Sequence, residues 1–244
     1  MTRLAIVGYG KMGRLVESLA PEFGFNIVAR LNRENNRDGR GVTRDSLHGA
    51  EAAVEFSAPD VAAENLQRLA ELGVNTVCGT TGWNAELATV RTAFERSGAA
   101  LVWGPNFSIG LNLYRLVVEE AAQLFAEEDE YGAWGWEMHH AKKKDAPSGT
   151  LLALVGDMRR GGFEREISVS STRAGVVPGT HEIGFDSIAD TITIRHTARS
   201  REGFARGALR AARWTAGRSG CYEFTEILDA VRREANGKLQ EEVR

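Results

Sequence analysis

Near its start the chain reads Leu4-Ala5-Ile6-Val7-Gly8-Tyr9-Gly10-Lys11-Met12-Gly13, an apolar run followed by the pattern G-x-G-x-x-G. The apolar run predicts a buried parallel strand, and residues 11–19 predict the helix that follows. In such a turn the glycines allow a sharp bend, close approach of a pyrophosphate and tight helix–strand packing. The helix N-terminus offers N–H groups to the phosphates. The alternative is a tight turn without a cofactor, but the strand–turn–helix context favours dinucleotide binding.

Beyond this turn, predicted strands and helices alternate. The strands cover residues 25–31, 52–56, 74–77 and 99–103, and the helices cover residues 61–72 and 85–96. Alternation of this kind predicts a parallel sheet with right-handed crossovers, in which ligands bind beyond the carboxyl ends of the strands. We therefore expect Gly8, Ser57, Gly79 and Asn106 to point toward one crevice.

The pattern changes after Pro105. An amphipathic helix over 111–128 precedes segments that alternate apolar and polar residues, as half-buried strands do. These segments are 134–139, 167–172, 181–186 and 191–196, and helices are predicted over 202–214 and 225–233. The predicted fold class is thus α/β, with a Rossmann-type parallel-sheet domain (1–105 and 198–244) and a smaller α+β domain with a mixed sheet (106–197).

Length and composition limit the function classes. A chain of 244 residues suits one large or two small domains, and a net charge of -3 gives no basic excess for nucleic acid. Two cysteines, Cys78 and Cys221, provide neither a disulfide framework nor metal-ligand spacing. No apolar run suits a membrane span and no signal peptide is recognisable, so we expect a cytoplasmic protein.

The end of the second predicted strand bears on cofactor choice. An acidic residue there usually binds the adenosine ribose, but this chain has Asn32, followed by Arg33. Without a carboxylate nothing repels a 2′-phosphate, and Arg33, Arg30 or Lys11 offers it a cationic partner. The sequence predicts that NADPH is accepted. The alternative is that Arg33 is a solvated loop charge.

The richest chemistry lies between Glu137 and Thr150, which read Glu-Met-His-His-Ala-Lys-Lys-Lys-Asp-Ala-Pro-Ser-Gly-Thr. A cationic loop leads into a helix start at Pro147 and Ser148, and this combination suits an anion such as a carboxylate. A histidine beside it can exchange a proton near neutral pH. With a hydride donor, the pattern indicates reduction of a C=N or C=C bond in a small acid. A lysine-rich solvated loop is the plain alternative.

Several stretches together resemble dihydrodipicolinate reductases of bacterial lysine biosynthesis, across nearly the whole chain. The matching stretches are residues 7–14, Glu55-Phe56-Ser57, Gly79-Thr80-Thr81-Gly82, Pro105-Asn106-Phe107-Ser108-Ile109-Gly110, the His-His to Gly-Thr segment, Arg173-Ala174-Gly175 and Pro178-Gly179-Thr180-His181. The first stretch is generic, whereas Lys-x-Asp-Ala-Pro-Ser-Gly-Thr is specific to the family.

The resemblance implies roles for individual residues. His139 corresponds to the proton donor, Lys143 to a catalytic lysine that binds a substrate carboxylate, and His140, Ser148, Gly149 and Thr150 to the carboxylate cradle. The cofactor residues would be Gly8, Gly10, Lys11, Met12, Gly13, Asn32, Arg33, Phe56, Ser57, Gly79, Thr80, Thr81, Asn106 and Phe107. The implied reaction is NADPH- or NADH-dependent reduction of 4-hydroxy-tetrahydrodipicolinate without a metal. The resemblance also implies that the second domain binds the substrate and forms a homotetramer.

Two departures from the family stand out. Ala141 and Lys142 occupy positions where the family often has Arg and His, and Asn32 replaces an acid found in many members. Two other function classes remain open: a related dehydrogenase acting on an amino acid or sugar acid, and a dinucleotide-binding sensor without catalysis. Intact His139 and Lys143 argue against the sensor.

Other residues have open roles at this stage. Glu137 either orients a partner or is a strand-edge carboxylate, and Asn106 either lines the crevice or turns the chain. Cys78 is expected to be a buried small side chain rather than a reactive thiol. His196 is expected on the polar face of its strand. Four tryptophans are expected in the core or at an interface; they are Trp103, Trp134, Trp136 and Trp214.

Overall fold

The computed structural model describes residues 1–228, which form two compact units. The first comprises residues 1–108 and the described residues from 204 onward, and the second comprises residues 109–203. The elements in chain order are β1 (Thr2–Val7), α1 (Lys11–Leu19), β2 (Phe25–Leu31), β3 (Ala52–Glu55), α2 (Pro59–Glu71), β4 (Asn75–Cys78), α3 (Leu87–Ser97), β5 (Ala100–Trp103), α4 (Ile109–Ala126), β6 (Gly132–His139), α5 (Gly149–Arg160), β7 (Ile167–Arg173), β8 (Thr180–Asp186), β9 (Thr191–Thr197), α6 (Glu202–Trp214) and β10 (Gly220–Glu223). The helix predicted over 225–233 lies partly outside the described residues.

The first unit contains a six-stranded parallel sheet, ordered β10-β5-β4-β3-β1-β2. Its central strands are short apolar runs: residues 4–7 of β1 are fully buried, as expected for a strand covered on both faces. The change of direction in strand order lies beside β1, so the loop after β1 is placed where such sheets bind ligands. This confirms the predicted Rossmann-type domain.

Two short elements in the first unit differ from the sequence prediction. Strand β10 pairs with β5 at the sheet edge and was not predicted. Its four residues are all half-buried, so the segment carries neither an apolar run nor a clear alternation. The helix predicted over 85–96 is instead a 3₁₀ turn, Asn84–Glu86, followed by α3.

The second unit contains a mixed four-stranded sheet ordered β7-β6-β8-β9. Strand β6 runs parallel to β7 and antiparallel to β8, and β8 runs antiparallel to β9. Side chains from α4, α5, β6 and β8 form one apolar cluster. The predicted mixed sheet is confirmed, and its central strand β6 carries the residues with the most distinctive chemistry.

Alternation along β6 decides which of its side chains meet the helices. Ala133 lies in the apolar cluster, and a Cβ at Gly135 would lie 3.0 Å from Leu151 of α5. Glu137 and His139 continue this buried row because side chains two residues apart share a face. The intervening residues of β6 are half-buried. Within residues 1–228, no helix combines the length and apolar character needed to cross a membrane.

Candidate active site

The turn after β1 has the geometry needed to receive a pyrophosphate. Gly8 has φ of +97°, and a Cβ there would lie 2.3 Å from the backbone carbonyl carbon of Phe56, so only glycine fits. Gly13 packs on the carbonyl oxygen of Gly8, whereas a Cβ at Gly10 would meet open space. Helix α1 begins after Gly10 with no side-chain cap and no acidic residue in its first turn. Its N-terminus is therefore open to an anion.

The loops after β3 and β4 meet this turn. A Cβ at Gly79 would lie 2.0 Å from the ring of Phe56, which also lies edge-on to Phe107 with ring centroids 6.4 Å apart. Thr80 Oγ1 is buried without a hydrogen-bond partner in residues 1–228, whereas Thr81 is exposed. An unsatisfied buried hydroxyl in the loop after β4 fits a site that gains a polar ligand.

Asn106 and Ser57 have structural partners in the same region. Asn106 Oδ1 accepts a hydrogen bond from Ser108 N at 2.8 Å, which supports its turn-forming role. The hydroxyl and backbone N–H of Ser57 both donate to the Glu55 carboxylate. Phe107 is buried and packs on Phe224 with ring centroids 4.6 Å apart. The loop cluster is thus held by internal contacts.

The three cationic side chains that could pair with a cofactor 2′-phosphate differ in their surroundings. Asn32 Oδ1 accepts from the backbone N–H groups of Glu34 and Asn35, at 2.8 and 3.1 Å, so its side chain shapes the turn. Arg30 is ion-paired with Glu17, which also accepts from Tyr9 Oη. Arg33 and Lys11 are exposed.

In the second unit, Glu137 and His139 form a buried pair on β6. His139 Nδ1 lies 2.5 Å from Glu137 Oε2, and Glu137 is fully buried. A lone pair on Nδ1 would be repelled by this carboxylate, whereas an N–H there would be attracted to it, so we assign the proton of neutral His139 to Nδ1. Nε2 is then the nitrogen that exchanges protons. Gly179 leaves that atom uncovered, since a Cβ there would lie 2.9 Å from Nε2.

Strand β7 and the start of α5 hold the Glu137 carboxylate. Arg173 Nη2 and Ser171 Oγ each lie 2.7 Å from Glu137 Oε1, and Ser148 N donates to it at 2.9 Å. The parallel register places Ser171 beside Glu137 and Arg173 beside His139. Burial alone raises the pKa of Glu137, but the hydrogen bonds from Arg173, Ser171 and Ser148 outweigh it and lower the pKa to about 2.

The same surroundings lower the pKa of His139 below its ordinary value. Burial is the largest cause, the negative charge of Glu137 opposes it, and the cations Lys143 and Arg173 add to it. His139 therefore releases its second proton readily in the unliganded protein. An anionic ligand that offsets the nearby cations raises the proton affinity of His139.

His181 on β8 extends the cluster. Its ring lies edge-on to His139 with centroids 5.1 Å apart, and its Nε2 lies 3.3 Å from Ser148 Oγ. Burial, followed by the effect of His139, lowers the pKa of His181 to about 4, so it is neutral near pH 7. Three side chains of this cluster each offer one potential metal-ligand atom, and these atoms all lie within 4.8 Å of one another. They belong to Glu137, His139 and His181. Arg173 neutralises the carboxylate of this trio, which disfavours a divalent cation.

The loop after β6 leads from His140 to the start of α5. Lys143 N donates to His140 O at 3.0 Å, and Lys143 Nζ is paired with Asp145 Oδ1 at 2.8 Å. Ser148 caps α5 by accepting from Leu151 N, and Gly149 and Thr150 form its first turn, which contains no acidic residue. A helix N-terminus, a lysine and a histidine pair therefore occupy one short segment.

Comparison with known proteins decides the family to which this chain belongs. Sequence models of dihydrodipicolinate reductase match residues 2–107 (its N-terminus) and residues 110–228 (its C-terminus). The 4-hydroxy-tetrahydrodipicolinate reductase of Christiangramia forsetii is 31% identical, over 92% of this chain and 97% of its own. The chain belongs to the dihydrodipicolinate reductase family. The reductase of Stenotrophomonas maltophilia is 38% identical, over 93% of this chain and 97% of its own.

A solved family structure shares the fold. The dipicolinate-bound dihydrodipicolinate reductase of Paenisporosarcina sp. TG-14 has a TM-score of 0.76 and 22% identity, covering 91% of this chain and 97% of that one. A myo-inositol dehydrogenase from Corynebacterium glutamicum has a TM-score of 0.53 and 12% identity, covering 89% of this chain and 88% of that one. The fold is therefore shared with dehydrogenases outside the dihydrodipicolinate reductase family.

Sequence reasoning missed three members of the buried cluster in this reductase-family chain. The sequence alone leaves two roles open for Glu137, and Arg173 and His181 stand out only within the stretches that resemble the family. The available signal was the Glu-x-His spacing on a predicted strand, which places both side chains on one face. The partners of Glu137 depend on strand pairing and had no local signal.

Proposed function

We propose that this chain is a 4-hydroxy-tetrahydrodipicolinate reductase of lysine and diaminopimelate biosynthesis. The reaction consumes NADPH or NADH and one proton and yields tetrahydrodipicolinate, the oxidised cofactor and water. The observation that supports this most is the buried Glu137–His139 pair beside Lys143 in a chain of this family. The open glycine turn of the first unit supports nicotinamide cofactor binding.

The residues of the second unit divide the chemical work. The substrate carboxylates are bound by Lys143, by His140 and by the start of α5 at Ser148, Gly149 and Thr150. When bound, the nicotinamide supplies the hydride. His139 supplies the proton from Nε2, while Glu137 keeps Nδ1 protonated and fixes the ring. Substrate carboxylates beside Lys143 raise the proton affinity of His139, so the acid is charged when it is needed.

A coupled assay tests this proposal. Dihydrodipicolinate synthase, pyruvate and aspartate semialdehyde generate the substrate in place, and absorbance reports the oxidation of NADPH or NADH. Oxidation that depends on the synthase is expected, and Michaelis constants for the two cofactors measure the contribution of Arg33. Folded protein that binds a cofactor but oxidises neither would contradict the proposal. Turnover with another amino acid or sugar acid would instead identify a related dehydrogenase.

Removing the Asp145 carboxylate is expected to tighten substrate binding. Asp145 is exposed and pairs with the Lys143 ammonium that we assign to a substrate carboxylate, so the two anions compete. An exposed ion pair is worth about 0–1 kcal/mol, so Asp145→Asn should lower the substrate KM by about two- to fivefold with kcat nearly unchanged. Steady-state kinetics measure this. A raised KM would show that Asp145 instead orients Lys143.

We also propose that the chain forms a homotetramer through the sheet of the second unit. The side of β6 opposite the buried row carries Trp134 and Trp136, both half-buried, and Arg195 lies over the Trp136 ring. A Cβ at Gly184 would lie 2.2 Å from the Trp134 ring, so this ring packs directly against β8. Partly exposed aromatic side chains are enriched at protein interfaces. Light scattering is expected to give four times the chain mass, and a monomer would contradict this.

A further inference from the structure

A second buried carboxylate, Glu55, lies in the first unit. It is the last residue of β3, is fully buried, and is in register with Val7 of β1 and Cys78 of β4. Within residues 1–228 it forms no ion pair. Burying a carboxylate without a cation is costly unless hydrogen bonds compensate. The hydrogen-bond donors around Glu55 must therefore supply this compensation.

Donors converge on this carboxylate from the loop after β3, from α2 and from β4. Glu55 Oε1 accepts from Ser57 N at 3.1 Å, from Ser57 Oγ, and from Asn65 Nδ2 of α2 at 3.2 Å. Glu55 Oε2 lies 3.3 Å from Cys78 Sγ. The backbone N–H and the amide NH₂ can only donate, so Oε1 must act as an acceptor. The arrangement suits a carboxylate that organises its surroundings.

The hydrogen bonds continue away from Glu55 in two directions. Toward β1, Ser57 follows Phe56, whose backbone contacts Gly8 and whose ring fills the space at Gly79. Toward β2, Asn65 Oδ1 accepts from Asn36 Nδ2 at 2.8 Å. Asn36 Oδ1 in turn accepts from Gly41 N at 2.9 Å. One carboxylate therefore connects the glycine-turn loops with the segment that follows β2.

We propose that Glu55 is a positioning residue for the nicotinamide cofactor, holding the Phe56–Ser57 turn and, through Asn65 and Asn36, the segment 36–41. This inference rests on the proposed function for the identity of the ligand. Glu55 acts through these loops and makes no direct contact with the cofactor. A preformed surface loses less entropy on binding, so the network should appear as cofactor affinity rather than as catalytic rate.

The nearly isosteric variant Glu55→Gln tests this role. Its amide oxygen can replace Oε1, but hydrogen bonds to a neutral acceptor are roughly half as strong as those to a carboxylate. Its NH₂ group faces Cys78 Sγ, a weak acceptor. We expect the Kd for NADPH, measured by calorimetry, to rise about tenfold, with kcat at saturating NADPH and substrate KM within about twofold.

A second variant and a matched control separate positioning from general stability. Asn36→Ala leaves the core of the sheet intact and is expected to raise the same Kd about threefold, with a less-than-additive effect when combined with Glu55→Gln. Thr76→Val alters another fully buried polar side chain of the sheet, which bonds Val74 O at 2.9 Å, and should leave the Kd unchanged.

Three outcomes would overturn the inference: an unchanged Kd in Glu55→Gln, equal effects in Thr76→Val at matched melting temperature, or fully additive effects of Glu55→Gln and Asn36→Ala. If Glu55→Gln does not fold, an unchanged Kd in Asn36→Ala would overturn the inference by itself. Failure of the proposed function is a separate result. It would appear as wild-type protein that binds NADPH but does not oxidise it in the coupled assay.

Discussion

Replacing His139 with glutamine is expected to lower kcat by about 10²–10⁴-fold, the usual contribution of a positioned general acid. Glutamine retains a polar group facing Glu137 but carries no titratable proton. The Kd for NADPH should change by less than about threefold, because the proposed cofactor-binding residues lie in the other unit. Near-normal turnover in His139→Gln would remove this residue from the role of proton donor. His196→Gln, which alters a half-buried histidine stacked on Tyr114, is the matched control.

The pH profile adds a test that a structural role would not satisfy. In the proposed mechanism protonated His139 is the active form. Because the pKa of His139 lies below its ordinary value in the free protein, kcat/KM should fall as pH rises through that lowered pKa. In the pH profile of kcat, the corresponding descending limb should lie at higher pH. The reason is that the bound substrate carboxylates offset the charge of Lys143 and raise the pKa of His139. The His139→Gln variant should lack both limbs. A wild-type kcat/KM independent of pH between about 5 and 8 would contradict the assignment.

Much of the first unit could be predicted because its signals are local. The apolar run ending at Val7, the three glycines and the helix over residues 11–19 together specify one strand–turn–helix unit, and the structure reproduces it. Strand β10 was missed because its position depends on a partner about 120 residues earlier, and its own four residues have no periodic pattern. Short edge strands of this kind are specified mainly by the sheet they join.

The active-site cluster was predictable in part for the same reason. Alternation over the predicted strand 134–139 is consistent with Glu137 and His139 sharing one face, but it does not say which strand lies beside them. Arg173 comes from β7 through a parallel pairing, and His181 comes from β8 through an antiparallel one. The sequence therefore predicted a proton donor without the partners that set its charge. The low pKa of Glu137 and the neutral His181 follow from pairing and burial.

Asn32 shows how a local contact can limit a motif-based interpretation. Asn32 stands in the sequence where an acid would meet the adenosine ribose, and its uncharged amide predicts that NADPH is accepted. In the structure its side-chain oxygen is already used by the two N–H groups of the following turn. We therefore expect the choice between NADPH and NADH to depend more on exposed Arg33 than on Asn32, and the Michaelis constants for the two cofactors measure it.

Replacing Lys143 with alanine is expected to raise the substrate KM by about 10–100-fold and to lower kcat by about tenfold, as loss of a charged ligand to a carboxylate costs several kcal/mol. The Lys143 side chain is half-buried, with 23% of it exposed, and its ion-pair partner in the described residues is Asp145. Lys142→Ala and Lys144→Ala remove exposed neighbours of equal charge and should change KM by less than about twofold.

The same substitution should also move the pH profile in a defined direction. Lys143 lowers the pKa of His139, so Lys143→Ala should shift the kcat/KM limb to higher pH, while Lys143→Arg should keep the limb near its wild-type position. Arginine restores the charge but not the compact ammonium, so it should recover only part of the KM. Lys143 would be a structural residue if the kcat/KM limb of Lys143→Ala moved to lower pH. The same would hold if the variant gave less folded protein but had normal kinetics. Together the KM change and the limb shift distinguish a carboxylate ligand beside the proton donor from a surface charge.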